Sequence, residues 1–571
     1  MVKKKDLVRI HYLLTMISAV AGLFLPSAAR AETTTAVEAR HGMVVSTEHE
    51  ASTAGLAILK AGGNAIDAAV AVGYALAVVD PCCGNIGGGG FMVIRRADGH
   101  ETFVDFRETA PAAARPDMYL DAAGEPVRDA SRYGWRAAGV PGTVLGLDRA
   151  LQEYGTLPRG RVMAPAIALA RDGFVLGADD AALIADKADR LAQDPEAARI
   201  FLRPDGKPPE PGDRLTQPDL AATLSLIAEQ GPDAFYRGPI AEKVAAASGG
   251  ALSAADFAAY TTDEAAPITC TYRGYRINSA PPPSSGGAVL CEMLNVLGGY
   301  DLAALKPGSA AAIHLFGEAM RHAYLDRNAW LGDPAFVKNP LDWMLSPEHA
   351  AAIRTSILPD KATSSAALGP GSPPHERPQT THYSVVDGAG NAVAVTYTIN
   401  GFFGACVVAP GTGFLLNDEM DDFAAKPGAP NMFGLRQGKA NVIAPGKRPL
   451  SSMTPTIVTK DRALRLVLGS PGGPRITTAV LEALTNILDF GMRPQQAVDA
   501  PRVHHQFLPD TLFYETDGLS PETVAALVGM GYTLKEQKPW GAVELIEIDP
   551  ATDHLFGAND KRRPGGAAMG F

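Results

Sequence analysis

The chain has 571 residues, 46% of them hydrophobic and 20% charged, a composition that suits a globular protein with a large core. Its formal net charge of −11 argues against nucleic acid or an anionic membrane surface as a partner. Five cysteines are too few for a disulfide scaffold, and with no CxxC pair or histidine cluster no metal site is expected, so buried free thiols are the simplest reading.

The N-terminus reads as an export signal. Lys3, Lys4, Lys5 and Arg9 form a positive region, Tyr12 to Leu25 is mostly apolar, and Ser27-Ala28-Ala29-Arg30-Ala31 offers an A-x-A cleavage site. The apolar stretch is shorter than the roughly 20 residues that a membrane span needs. Residues 1–31 are therefore expected to be a signal peptide, leaving Glu32 first in a periplasmic or secreted chain with no later span. That segment carries five Lys/Arg and one Asp, so its removal takes the charge from −11 to −15.

Two helices are predicted next, Ser52 to Leu59 and Ala65 to Val79, separated at Gly62-Gly63 and capped by Asn64. Gly87 to Gly90 leads into a strand, Phe91 to Arg95, and Thr102 to Phe106 is a second strand across the Asp98-Gly99 turn. The glycine run precedes a strand instead of opening a helix, so it lacks the context of a phosphate cradle. The middle of the chain is helical: Ala164 to Arg171, Ala181 to Leu191, Pro218 to Glu229, Ile240 to Ala247, Ala288 to Leu297 and Ala310 to Asp326. Pro281 to Gly287 is a rigid turn before the Ala288 helix.

Pro359 to Thr380 is rich in Ser, Gly, Pro and Ala and too poor in large apolar residues to hold one conformation, as a linker or a processing loop would be. A hairpin follows, Tyr383 to Val386 and Ala392 to Ile399, around the Asp387 to Asn391 turn. If Val386 faces Ala392, Thr380 falls opposite Thr398, and Thr396, Thr398 and Asn400 share a polar face. A threonine at the head of such a strand is a poor nucleophile until the chain is cut before it. The freed α-amino group can then act as its base.

At these residues the chain resembles the γ-glutamyltransferase (γ-glutamyltranspeptidase) family. The resemblance rests on ordered blocks: Asp105 to Pro111, Pro281 to Gly287, Thr380 to Asp387, Asn417 to Phe423, Arg448 to Met453 and Gly469 to Gly473. It runs from about Gly42 to the C-terminus. It implies an α+β, four-layer αββα N-terminal-nucleophile (Ntn) hydrolase fold. It also implies self-cleavage at Gln379-Thr380 into a large subunit, 32–379, ending in a processing loop of about 359–379, and a small catalytic subunit, 380–571. The two fragments would remain together as a heterodimer forming one domain.

The resemblance makes Thr380 the nucleophile, with Thr398 orienting its hydroxyl and Gly472 and Gly473 as the oxyanion hole. Arg107 would fork onto the donor α-carboxylate with Ser451 and Ser452, while Asn400, Glu419 and Asp422 would accept from its α-ammonium. Arg502 and Arg562 fall at positions tied to structure or maturation. Lys426 to Gly438 resembles a lid loop, and Phe433 stands where bacterial relatives often carry Tyr, so looser closure is expected. Taken one by one, each of these has a plain alternative: Arg107 a surface ion pair, Glu419 and Asp422 a solvated acidic turn, Thr398 a strand residue, the glycines a tight turn. The implied activity is γ-glutamyl transfer and glutathione hydrolysis, from glutathione or other γ-glutamyl donors to water, amino acids or peptides, with no metal or organic cofactor. The alternatives are a glutaryl or cephalosporin acylase of the same fold, or an unprocessed, non-catalytic periplasmic binding protein.

Overall fold

In the computed structural model, which describes residues 35–368 and 380–571, two seven-stranded antiparallel sheets face each other. The first runs in the order Ala567–Gly570, Gly42–Ser46, Thr381–Asp387, Ala392–Thr398, Gly89–Arg95, Glu101–Phe106, Asp263–Ala265. The second runs Val37–Ala39, Leu555–Ala558, Glu544–Ile548, Ala463–Gly469, Thr456–Lys460, Tyr275–Ser279, Ile268–Tyr272. Both sheets interleave strands from before and after residue 379, so neither half of the chain completes a sheet alone.

Alternation along each strand divides the core into layers. Val393, Val395 and Tyr397 turn toward helices that include Ala65–Val79 and Thr143–Tyr154. Ala392 and Ala394 turn inward with Val45, Val93, Ile457, Val467 and Ile546 to fill the space between the sheets. Helices Gly286–Leu297, Ala310–Trp330 and Arg475–Leu488 cover the outside of the second sheet. The result is the expected αββα arrangement. Among the described residues, no helix is long and apolar enough to cross a membrane.

Local chemistry explains the elements that carry the site. Asn64 caps the Ala65–Val79 helix by accepting from the Ile66 and Asp67 amides, and Asp67 closes the box by accepting from Asn64 N at 2.8 Å. The Gly87 to Gly90 run is there for close approach: a Cβ on Gly88 would lie 2.0 Å from Thr398 O, and one on Gly90 2.4 Å from the Tyr397 Cβ. The hairpin register is the expected one, Val386 opposite Ala392 through Thr381 opposite Tyr397. The expected break at Gly62-Gly63 separates helices His49–Lys60 and Ala65–Val79.

Two expectations change. The cysteines are largely paired: Cys270, on a strand, bonds Cys291, on the covering helix, with Cα atoms 5.7 Å apart, and Cys82 bonds Cys83. Only Cys406 is a free, buried thiol among the described residues. The start of the Pro359 to Thr380 segment is also held. Ser365 N donates to Asp510 Oδ2 at 2.8 Å, its hydroxyl accepts from Arg321 Nη1 at 2.7 Å, and Ala362 N donates to Met530 O at 2.8 Å. Polar anchoring from distant residues fixes what apolar burial could not. Residues 1–34 and 369–379, including the signal-peptide reading and Gln379, lie outside the described residues.

Candidate active site

Thr380 sits at the head of the Thr381–Asp387 strand, on the polar face between the sheets, and is buried. Its Oγ1 lies 3.4 Å from Thr398 Oγ1, the partner expected from the hairpin register. Thr398 Oγ1 also accepts the Asn400 amide at 2.8 Å, a bond that shapes the left-handed backbone of Asn400 at φ 66°. The next residues are fixed from behind: Thr381 Oγ1 is 2.7 Å from Thr47 Oγ1, which donates to Asp80. His382 lies between Thr396 Oγ1 at 2.8 Å and Ser384 Oγ at 3.1 Å. Burial pushes His382 down to about 3, so it is neutral and serves as a spacer on this face. A Cβ on Gly469 would meet its ring at 2.2 Å, which explains the glycine there.

One cavity joins the Thr380 and Thr398 hydroxyls to Arg107, Asn400, Glu419, Asp422, Ser451, Ser452, Phe433 and Gly473. Sequence positions more than 300 residues apart are thus brought together as expected. Their pairing differs from the expectation. The Arg107 guanidinium is not an open fork; it bonds Glu419 through Nη1 and Asp422 through Nη2, the latter at 2.5 Å, and its Nε donates to Pro449 O at 3.1 Å. Two facing carboxylates outcompete solvent for a fully buried cation. Burial would lower Arg107, but Glu419, Glu108 and Asp422 more than offset that and hold it above its usual value. Burial raises the Glu419 carboxyl well above the carboxylate range and brings Glu108 to about 7, with Arg107 opposing both. Glu419 Oε2 has no hydrogen-bond partner among the described residues.

Ser451 and Ser452 are set by the Pro281 to Gly287 turn. Ser285 donates to Ser451 O from its amide at 2.8 Å and its hydroxyl at 2.6 Å, and Ser451 N returns a bond to Pro283 O at 2.9 Å. A Cβ on Gly286 would lie 2.4 Å from Met453 O, so the turn and the serine segment touch backbone to backbone. Gly472 and Gly473 adopt φ 138° and 57° just before the Arg475–Leu488 helix, and neither amide donates to a protein acceptor among the described residues. Gly472 faces a second cavity on the other side of Thr380, about 130 Å³, with Phe402, Trp540 and Arg562.

The segment around Phe433 is packed, against the expectation of looseness. Phe433 is buried, with its ring 2.8 Å from where a Gly473 Cβ would stand. Met432 N donates to Asp421 Oδ2 at 2.8 Å, and Asn400 Nδ2 meets Met432 Sδ at 3.5 Å, so a neighbouring side chain reaches Asn400 where a phenol is missing. Arg502 and Arg562 are buried scaffold: both bind Asp560, and Arg562 Nε donates to Glu515 at 2.7 Å.

Arg327 was not anticipated. It lines the same cavity from the Ala310–Trp330 helix and donates to Ser452 Oγ at 3.1 Å and Ser285 Oγ at 3.0 Å. Its spacing held the clue, since Ile313, Phe316, Met320, Tyr324 and Arg327 fall on one helical stripe whose other members are core.

The family model described as gamma-glutamyltranspeptidase matches residues 51–570. The chain belongs to that family. Among its relatives, the glutathione hydrolase proenzyme of Pseudomonas sp. (strain A14) is 52% identical over 546 residues, covering 94% of this chain and 95% of the relative. That of Escherichia coli (strain K12) is 47% identical over 542 residues, covering 94% and 93%. The solved cephalosporin acylase from Bacillus halodurans superposes with a TM-score of 0.84 at 28% identity, over 96% of this chain and 99% of the acylase. Membership in this gamma-glutamyltranspeptidase family, with its N-terminal-nucleophile fold, makes the chain an enzyme of the hydrolase and transferase type.

Proposed function

We propose that the protein is an exported proenzyme that cuts itself between Gln379 and Thr380 and then transfers γ-glutamyl groups through Thr380. Attack of the Thr380 hydroxyl on the Gln379 carbonyl breaks the peptide C–N bond, which frees the α-amino group and leaves an ester; water then opens the ester, releasing the Gln379 carboxylate and restoring the Thr380 hydroxyl. That amine has an ordinary pKa of about 7.7 to 8.0, so near neutral pH it can take the hydroxyl proton in later turnovers. Thr398 orients the hydroxyl. The amides of Gly472 and Gly473, which donate to no acceptor among the described residues, are suited to the developing oxyanion, since no side chain of their own blocks the approach. The γ-glutamyl ester is then resolved by water or by an amino acid or peptide entering past Gly472.

The observation that carries the reading is the charge arrangement beside Thr380. A γ-glutamyl donor presents an α-carboxylate and an α-ammonium. Arg107, Ser451 and Ser452 are suited to the first; Asn400, Asp422 and Glu419 Oε2, which has no hydrogen-bond partner among the described residues, are suited to the second. The cavity volume is about 20 Å³, near that of a water, so donor entry moves Phe433 or loosens the Arg107 cluster. The interleaved sheets account for why the fragments 32–379 and 380–571 would stay together as a heterodimer. Residues 1–31 are read as the signal that sends the chain to the periplasm or beyond.

An acylase for glutaryl or cephalosporin side chains need not grip an α-ammonium, so the Asn400, Glu419 and Asp422 cluster favours a γ-glutamyl donor. Incubation of the matured protein with glutathione tests the choice. Release of glutamate and cysteinylglycine, with a γ-glutamyl product when glycylglycine is added, is the expected result. Turnover of glutaryl anilides alone would contradict it.

A further inference from the structure

Two arginines line the Thr380 cavity, and only one has its charge matched. Arg107 faces Glu419 and Asp422 directly. Arg327 is equally buried but forms no ion pair with a carboxylate among the described residues; its partners are neutral, the hydroxyls of Ser285 and Ser452 and the side-chain oxygens of Asn328, at 3.0 Å, and Gln437, at 3.4 Å. An unmatched buried charge is costly, and proteins keep one where a ligand supplies the counter-charge. Burial brings Arg327 down to about 10, which still leaves it protonated at neutral pH.

Its contacts point at the ligand side. Ser452 Oγ accepts from Arg327, so its own hydrogen is turned away from the guanidinium and is available to an acceptor in the cavity. Ser285, held by Arg327 Nε, carries the carbonyl of Ser451 on its hydroxyl. Gln437, on the opposite flank, donates to Asp422 O at 2.8 Å. Arg327 therefore ties together the serine segment and the acidic segment.

We propose that Arg327 is a positioning and specificity residue that sets the cavity's preference for a donor carboxylate, by aiming the Ser452 hydroxyl and by adding a second cationic charge beside Arg107, whose own charge Glu419 and Asp422 already offset. The proposal rests on the glutamyl chemistry above. It assigns the carboxylate and ammonium halves of the donor to different parts of the cavity: removing Arg327 weakens the first and spares the second.

The test uses the full proenzyme carrying Arg327→Gln or Arg327→Lys, with self-cleavage and thermal midpoint recorded for each. Three donors are compared: γ-glutamyl p-nitroanilide, glutaryl p-nitroanilide, which keeps the carboxylate but lacks the ammonium, and the α-methyl ester of the γ-glutamyl anilide, which loses the carboxylate charge. Any donor turned over too slowly is measured as a competitive inhibitor. Arg327→Gln is expected to raise KM or Ki for both carboxylate donors about 10- to 100-fold, the loss of a charge-assisted interaction. It should leave the ester within about threefold, and kcat should change less than KM. Arg327→Lys should recover most of the difference. Equal losses on all three donors, or no loss, would overturn the assignment. A matured wild type inert on the γ-glutamyl anilide would overturn the underlying function as well; an active wild type with an unaltered Arg327→Gln profile would overturn only the role of Arg327.

Discussion

The Thr398 hydroxyl stands 3.4 Å from that of Thr380 and simultaneously accepts the Asn400 amide at 2.8 Å. One side chain thus links the proposed nucleophile to the loop that begins the ammonium side of the cavity. Thr398→Val keeps the shape and strand preference but removes the hydroxyl. Loss of one hydrogen bond of about 1 to 3 kcal/mol should lower kcat by about 10- to 100-fold with KM little changed, and should slow self-cleavage. Steady-state kinetics and a cleavage time course measure both.

Arg107 is held by Glu419 and Asp422, with Glu108 a third carboxylate at 3.5 Å, in a buried cluster. Arg107→Gln leaves them facing each other without a cation, at a cost of about 3 to 5 kcal/mol. A lower thermal midpoint and a raised KM are expected together. Arg107→Lys should recover stability only in part, because one ammonium cannot fork onto both partners. A variant with unchanged stability would show that the cluster is not an ion pair in solution.

Gly473 combines φ 57° with a Cβ position 2.8 Å from the Phe433 ring. Gly473→Ala should cost about 1 to 2 kcal/mol from the backbone alone, and more from the clash. Phe433→Leu should relieve part of the clash, so the double variant should lose less than the two singles summed. Additive losses in kcat/KM would place the effect in the backbone alone.

The hairpin and its register were legible because a five-residue turn and a period-two alternation constrain one another over a short span: Val386 opposite Ala392 leaves Thr380 nowhere to go but beside Thr398. Helix Ala65–Val79 was legible to the residue, since its Asn64 cap and apolar length are local signals. Long-range pairing was not. Nothing near Arg107 in sequence announces that Glu419 and Asp422 will saturate it, and the Cys270–Cys291 bond joins a strand to a helix across the intervening strand Tyr275–Ser279 and the turn after it. Arg327 escapes because the predicted helix stops at Asp326, one residue short of it, whereas the helix runs on to Trp330. Residues 359–368 depart from the expected loose segment because composition reports apolar burial and not the Arg321 and Asp510 anchors.

His382 is buried neutral at about 3, against about 6.5 in an unfolded chain. Between those values the unfolded state binds a proton that the folded state refuses, so stability rises with pH across the window and is lost as pH falls from about 6.5 toward 3. His505, pushed by burial to about 4, adds to the same trend. Thermal midpoints should drop steeply below pH 6, and His382→Asn should flatten that slope. An identical slope in the variant would remove His382 from the account.

The most direct measurement is the intact mass of the purified protein, with N-terminal sequencing of its fragments, for wild type and Thr380→Ala. The account predicts two wild-type fragments, the smaller beginning at Thr380 and ending at Phe571, and a single uncut chain for Thr380→Ala. A wild type that stays uncut on incubation, or a Thr380→Ala protein that still separates at Gln379-Thr380, would contradict it.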